Sequence, residues 1–215
     1  MVENRIVAFI DILGFREIIV NAPDNYTFIY STLKRVLDTF KQLDTETEFN
    51  FTHFSDSFVL SLRDFNVNQS MLFLIILQDL ISDLINDGIL LRGGISVGKS
   101  IHDDDILLGE GLIKAYDLEQ KAKFPRVIID GELVEHWEDQ LEGYNFENVF
   151  ELTKDSDGYY FMDYITKKNG LTANYLDKIT KIAFKMKTNQ SDSVKAKGEW
   201  LFNWIAVGYK ILEKK

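Results

Sequence analysis

"FNFTHFSDSFVLSL", residues 49–62, alternates apolar and polar side chains on either side of a polar centre, Ser55-Asp56-Ser57. Period-two alternation marks strands and its polar interruption marks a turn, so the stretch predicts a β-hairpin with Asp56 at or near its tip. Upstream, "RIVAFI" at 5–10 is β-branched and aromatic without a helical period, which predicts a buried strand. Between these two, from Glu17 to about Leu43, apolar residues recur at helical spacing around "NAPDN" at 21–25, where Pro23 favours a break. Downstream, residues 67–86 carry a helical stripe of Met71, Leu72, Ile75, Ile76, Leu80 and Leu84, closed by "NDG" at 86–88. "ILLRGGISVGKSI", 89–101, predicts the next strand. The resulting order β, α, β, β, α, β is that of a split-βαβ, ferredoxin-like α+β fold with helices on one face of a mainly antiparallel sheet.

Beyond the acidic "HDDD" at 102–105, "ILLGEGLIKAYDLEQKA" predicts a short strand entering a helix, and "RVIID" at 126–130 another strand. Residues 148–152 and 159–165 predict a further hairpin around "KDSDG". From about Asn174 the chain reads as helical in two pieces divided near "TNQSDS", 188–193. There is no repeat and no low-complexity linker. The expected organisation is a core over residues 1–135 and a C-terminal helical extension over 136–215 that packs on it rather than forming an independent domain.

The chain has 215 residues, 46% hydrophobic and 13% aromatic, enough for one large core with an added helical layer. It contains no cysteine, which excludes disulfides, thiolate metal sites and a cysteine nucleophile. A formal charge of −10 argues against a nucleic-acid partner, because non-specific affinity for a phosphate backbone comes from Lys and Arg. A strand begins after four residues with no apolar leader, and "MLFLIIL" at 71–77 is shorter than the roughly 20 residues of a spanning helix. These features predict a cytoplasmic protein with no membrane partner.

Asp11 stands at the exit of the first strand, in "AFIDILGFRE", residues 8–17. In the predicted sheet the first strand lies beside the hairpin, so Asp11 and Asp56 share one rim. Like charges at close range repel, and a divalent cation between them removes that cost; carboxylate oxygens suit Mg²⁺ or Mn²⁺. Taken singly, each aspartate is equally well a turn or helix cap. Gly14 of "ILGF" permits a tight strand-to-helix loop whose N–H groups converge on an anion, and beside Asp11 it suggests a triphosphate. Arg16 either adds charge there or is a solvated first-turn residue. Gly93, Gly94 and Gly98 of "RGGISVG" weaken a strand unless something approaches it closely, and a ligand base, a partner subunit or a bulge each accounts for them. Arg92, in the same strand, needs an anion or acceptor. His53, His102 and His136 lack metal-ligand spacing and read as surface or packing residues. Trp200, Trp204 and Ile211 share a helical face and read as core or subunit packing.

Together, "FIDILGF", "FSDSFVLS", "LRGGISVG" and "LLGEGLIKAYDLEQKAKFPRVIID" resemble, in order and spacing, the core of class III nucleotidyl cyclases over about residues 5–130. The resemblance implies a lyase that forms a 3′,5′-cyclic nucleotide and pyrophosphate from a nucleoside triphosphate. Two Mg²⁺ or Mn²⁺ ions per site would be held by Asp11, Asp56 and the Ile12 carbonyl. The loop of Leu13, Gly14, Phe15 and Arg16 would hold the triphosphate, at sites composed by both chains of a homodimer. Ile113 and Asp117 fall where purine cyclases usually carry an asparagine and an arginine, and Thr52 falls where a lysine or glutamate commonly reads the purine. In these respects the chain looks more like the pyrimidine cyclases of bacterial anti-phage Pycsar systems, whose cUMP or cCMP activates a separate effector. That implies Thr52 and Arg92 as base-reading residues, with Lys114 or Lys121 as the replacement cation. An adenylate or guanylate cyclase, or an inactive nucleotide-binding or dimerisation module, remains the alternative.

Overall fold

The computed structural model describes residues 1–21, 25–44, 49–63, 66–103, 106–167 and 171–214; Pro23, Asp104 and Asp105 lie outside them. The first half runs β1 (Glu3–Ile12), α1 (Phe15–Asn21), α2 (Asn25–Asp44), β2 (Phe49–Phe54), β3 (Ser57–Arg63), α3 (Val67–Asn86) and β4 (Leu91–His102). Next come β5 (Leu107–Gly109), α4 (Glu110–Lys121), β6 (Val127–Ile129) and α5 (Gly131–Gln140). The chain continues through α6 (Phe146–Val149), β7 (Leu152–Lys154), β8 (Tyr160–Met162), α7 (Ala173–Lys187) and α8 (Asp192–Leu212).

β1 lies antiparallel between β3 and β4, and the sheet order is β2-β3-β1-β4-β6-β8-β7, with β5 folded back on the end of β4. The first four positions are the expected ferredoxin-like arrangement. β6 joins parallel to β4, so the intervening α4 is the crossover that a parallel pair requires. The expected second hairpin is β7–β8, but its first strand starts at Leu152 because Phe146–Val149 form a helical turn capped by the Asn145 side chain. α5, which hydrophobic spacing did not predict, buries Leu133, Val134 and Trp137.

Side-chain alternation gives β1 two faces. Ile6, Ala8, Ile10 and Ile12 enter the main core with Phe58, Leu60 and Leu62 of β3 and Phe73, Leu77 and Leu84 of α3. α3 enters through a capping box, in which Asn66 accepts from the Gln69 amide while the Gln69 side chain accepts from the Asn66 amide, a device worth about 1 kcal/mol. α3 is long and apolar enough by length and composition alone to cross a membrane, a test that core helices also pass, and half of that span is buried here.

The opposite face of β1 presents Val7 and Phe9, which pack with Val59 and Ala115, and the Phe9 and Tyr116 rings meet edge to face at 5.3 Å. α4 therefore covers the face that the helices of the βαββαβ unit leave open. The glycines of β4 account for its closeness. A Cβ on Gly94 would lie 2.4 Å from the Ala115 carbonyl oxygen, and one on Gly98 would lie 2.7 Å from the Gly111 nitrogen. Pairing with β1 runs unbroken through all three glycines, so there is no bulge; the close neighbour of Gly94 and Gly98 is α4, and that of Gly93 is β1 at Phe9 and Ile10.

The aromatic tail packs within the chain. Trp200 stacks on Phe124 at 5.7 Å and meets Phe161 edge-on, and its indole N–H donates to Asp155 Oδ2 at 2.7 Å. Asp155 also accepts from Arg126, a fully buried guanidinium that binds Asp157 as well. One buried cation thus ties β6, the β7–β8 turn and α8 together.

Gly94→Ala must push α4 off the sheet, because the atoms it meets are backbone or Cβ. Overpacking of this kind costs about 1–3 kcal/mol, which a urea unfolding midpoint will register. Gly131→Ala, where a Cβ meets nothing within 4 Å, is the matched control and is expected to be neutral or slightly stabilising.

Candidate active site

The exit of β1 and the tip of the β2–β3 hairpin meet at one edge of the sheet. Asp11 is paired in register with Ser57 on one side and with Arg92 on the other. The Ile12 amide donates to the Asp56 carbonyl at 2.9 Å, which closes the hairpin turn onto the strand end. Ser55 holds that turn with a φ of 55°, a left-handed conformation that short polar residues tolerate best. Asp11 and Asp56 are therefore neighbours on one rim, as the hairpin reading predicts.

Asp11 is two-sided in its electrostatics. Burial pushes its carboxyl up from the ordinary aspartate range and the nearby Asp56 charge adds to the rise, while the Arg92 guanidinium opposes it. Arg92 Nε lies 3.3 Å from Asp11 Oδ2 and 2.5 Å from Glu119 Oε1. Glu119 is 1% exposed, and its carboxyl is likewise raised by burial and lowered by Arg92. The acceptor that Arg92 requires is thus a pair of carboxylates, one from β1 and one from α4. Glu119 was not singled out in the sequence. It does carry a signal: it falls on the buried stripe of α4, with Gly111, Ala115 and Leu118, where an acid has no place without a cation.

After Asp11, the Leu13 amide donates to the Leu90 carbonyl, and Gly14 turns the chain at φ 73°. A Cβ there meets only Glu17 Oε2 at 3.9 Å, so the backbone angle rather than crowding calls for glycine. The Gly14 carbonyl accepts the first helical bond of α1 from Ile18, Phe15 packs against the core, and Arg16 is exposed.

Thr52 lies on β2 in a different setting. Its Oγ1 is 2.9 Å from His102 Nε2, and Ser61 Oγ is 2.8 Å from His102 Nδ1 and accepts from Arg5. Burial and the neighbouring Arg5 charge hold His102 down at about 4, so the imidazole is neutral at pH 7 and its two nitrogens play opposite hydrogen-bonding roles. Lys114 bridges α4 to α5. Its ammonium donates to Glu132 at 2.7 Å and pairs with Glu110 at 3.1 Å, and these bonds push it up to about 12. Lys121, Ile113 and Asp117 are exposed on α4.

The Asp11 and Asp56 carboxylates are hard oxygen donors that suit a divalent cation, which would oppose the rise that burial, and after it the Asp56 charge, imposes on the Asp11 carboxyl. Arg92 competes with such an ion for Asp11. Among the described residues there is no cluster of three or more His, Asp or Glu side chains with metal-binding geometry.

No protein-family profile matches the sequence. No curated protein matches it either. Solved structures that resemble the fold include the adenylyl cyclase CyaB from P. aeruginosa, at 16% identity and TM-score 0.48 over 65% of this chain and 82% of that one. Another is the guanylate cyclase domain of RhGC from Catenaria anguillulae in complex with GTP, at 14% identity and TM-score 0.49 over 74% and 93%. A third is an adenylate/guanylate cyclase/hydrolase from Silicibacter pomeroyi, at 12% identity and TM-score 0.48 over 75% and 95%.

Because Asp11 and Glu119 titrate higher in the folded than in the unfolded chain, their contribution to stability is full below the unfolded carboxylate range. It is lost as pH rises through their folded values. Arg92→Gln removes the cation that limits this rise, so the loss grows with pH. The side chain is 27% exposed, which discounts the usual cost of orphaning a buried ion. Urea titrations should find the variant close to the parent at pH 4 and roughly 2 kcal/mol less stable at pH 8.

Proposed function

We propose that this chain is a nucleotidyl cyclase that converts UTP or CTP to the 3′,5′-cyclic monophosphate and pyrophosphate. The observation that carries this reading is the meeting of Asp11 and Asp56, from two strand ends, at one rim beside the Gly14 loop. Asp11, Asp56 and the Ile12 carbonyl would hold two Mg²⁺ or Mn²⁺ ions; when bound, they lower the pKa of the ribose 3′-hydroxyl and offset the triphosphate charge. Attack by O3′ forms a bond to the α-phosphorus and breaks its bond to the bridging oxygen, releasing pyrophosphate. The work of the protein is to position: Gly14, Phe15 and Arg16 would present backbone N–H groups and one cation to the phosphates, while Leu13, whose amide is held by the Leu90 carbonyl, fixes the start of the loop. Thr52 and Arg92 are assigned to base recognition; Thr52 Oγ1 lies 2.9 Å from His102 Nε2, and the imidazole tautomer sets which of the two donates. Lys114 is assigned as the transition-state cation, in competition with Glu110 and Glu132.

The active form in this proposal is a homodimer with composite sites. Ile113 on α4 is 62% exposed, Tyr116 is 47% exposed and Phe54 at the hairpin tip is 80% exposed, apolar groups that a second copy would cover. The product would act as a second messenger for a separate effector in anti-phage defence. The absence of the asparagine and arginine at 113 and 117 supports the competing reading, a module that binds nucleotide without turnover.

Incubation with each of the four nucleoside triphosphates and Mn²⁺, followed by mass spectrometry, is expected to yield cUMP or cCMP; cAMP or cGMP alone would refute the pyrimidine assignment. Asp56→Asn should lower turnover by at least about a hundredfold with an unchanged circular dichroism spectrum, as expected when an electrostatic participant in the transition state is lost. Ile113→Asp should shift sedimentation toward the monomer and lower turnover together; a variant that remains dimeric and active removes α4 from the interface.

A further inference from the structure

Beside the two-aspartate rim, on the far side of Arg92, lies a cavity of about 340 Å³. Its walls come from three places: Arg92 on β4, Gln120, Lys123 and Phe124 at the end of α4, and Lys197 with its neighbours on α8. Three cations face this space, and among the described residues no carboxylate lines it. In a chain of net charge −10 that is an unusual local balance. Arg92 Nε makes the contacts to both carboxylates, and the same side chain lines the cavity. The Lys197 ammonium donates to the Ser193 hydroxyl, a neutral partner. Burial lowers the Lys197 pKa and the Arg92 charge adds to that lowering, so the two cations act on one another. Phe124, held flat by its stack on Trp200, closes the floor.

We propose that this cavity binds a phosphate-bearing anion, with Arg92, Lys123 and Lys197 as its ligands. The size is at the lower end for small-molecule pockets and accommodates pyrophosphate or the phosphate end of a nucleotide. The site shares Arg92 with the proposed base-recognition residues but goes beyond the cyclase reaction, since it depends on α8 and needs neither a metal nor turnover.

The test is calorimetric titration of the full chain in EDTA with inorganic phosphate, pyrophosphate and a non-hydrolysable nucleoside triphosphate. At least one of these should bind. Lys197→Gln and Lys123→Gln should each weaken it about tenfold, the loss of one charge-assisted contact. Lys197→Arg should restore most of the affinity, and circular dichroism checks that the fold is kept. If only the nucleotide binds, the anion is part of a nucleotide; if pyrophosphate competes equally, the cavity takes the free anion. Asp56→Asn should bind as the parent does, which separates this site from the two-aspartate rim. Absence of binding by all three probes, affinities unchanged in both glutamine variants, or binding lost in Asp56→Asn would each overturn the proposal.

Discussion

A helix can lie on a strand with backbone against backbone only where the side chains between them have been reduced to hydrogen. Gly94 and Gly98 of β4, facing Ala115 and Gly111 of α4, create that condition here. Closeness has an electrostatic consequence. One turn further along the same helix, Glu119 is pressed against Arg92, and Arg92 in turn faces Asp11 across the β1–β4 ladder. Had α4 stood at an ordinary helix–sheet distance, Glu119 would not reach Arg92, and the guanidinium would have Asp11 alone. The packing of small residues therefore sets the charge environment of the aspartate rim.

Two guanidinium centres organise the fold, Arg126 fully buried and Arg92 partly so. Arg92 links β1, β4 and α4 at the rim, and Arg126 links β6, the β7–β8 turn and, through Asp155 and Trp200, α8. A strongly acidic chain can bury carboxylates only where a cation or several hydrogen-bond donors meet them, as the Thr153 and Thr166 hydroxyls do at Asp163, since an isolated ion in an apolar interior is unfavourable by several kcal/mol. Asp155 joins Arg126 to Trp200 of α8, and the same helix lines the cavity that Arg92 borders. This is how Lys197, distant in sequence from Asp11, comes to share a cavity wall with Arg92.

Much of the core was legible in the sequence because its signals are local. The alternation of 49–62, the stripe of 67–86 and the apolar run at 5–10 each report burial by period alone, and the resulting order gives the central strand sequence. The rim could be inferred because Asp11 and Asp56 sit at strand ends that this order brings side by side. Two elements were not legible. α5 has too few apolar positions for a period to stand out, and the start of β7 is displaced by a capped helical turn at Asn145. The glycines of β4 showed that something comes close without saying what, since a missing side chain carries no record of its neighbour.

Residue type and spacing determined the strands and helices, the position of the two aspartates at strand ends and the need of Arg92 for an anion, because these follow from periodicity, turn chemistry and the cost of an unpaired buried charge. The tertiary structure alone decided that α4 is the close neighbour of Gly94 and Gly98, that Glu119 is the second partner of Arg92, and that Lys123 and Lys197 face Arg92 across one cavity. Those pairings join residues from α4, β4 and α8 whose separation along the chain contains no information about distance. Only the closing of the crossover and the docking of the C-terminal helix bring their charges within reach of one another.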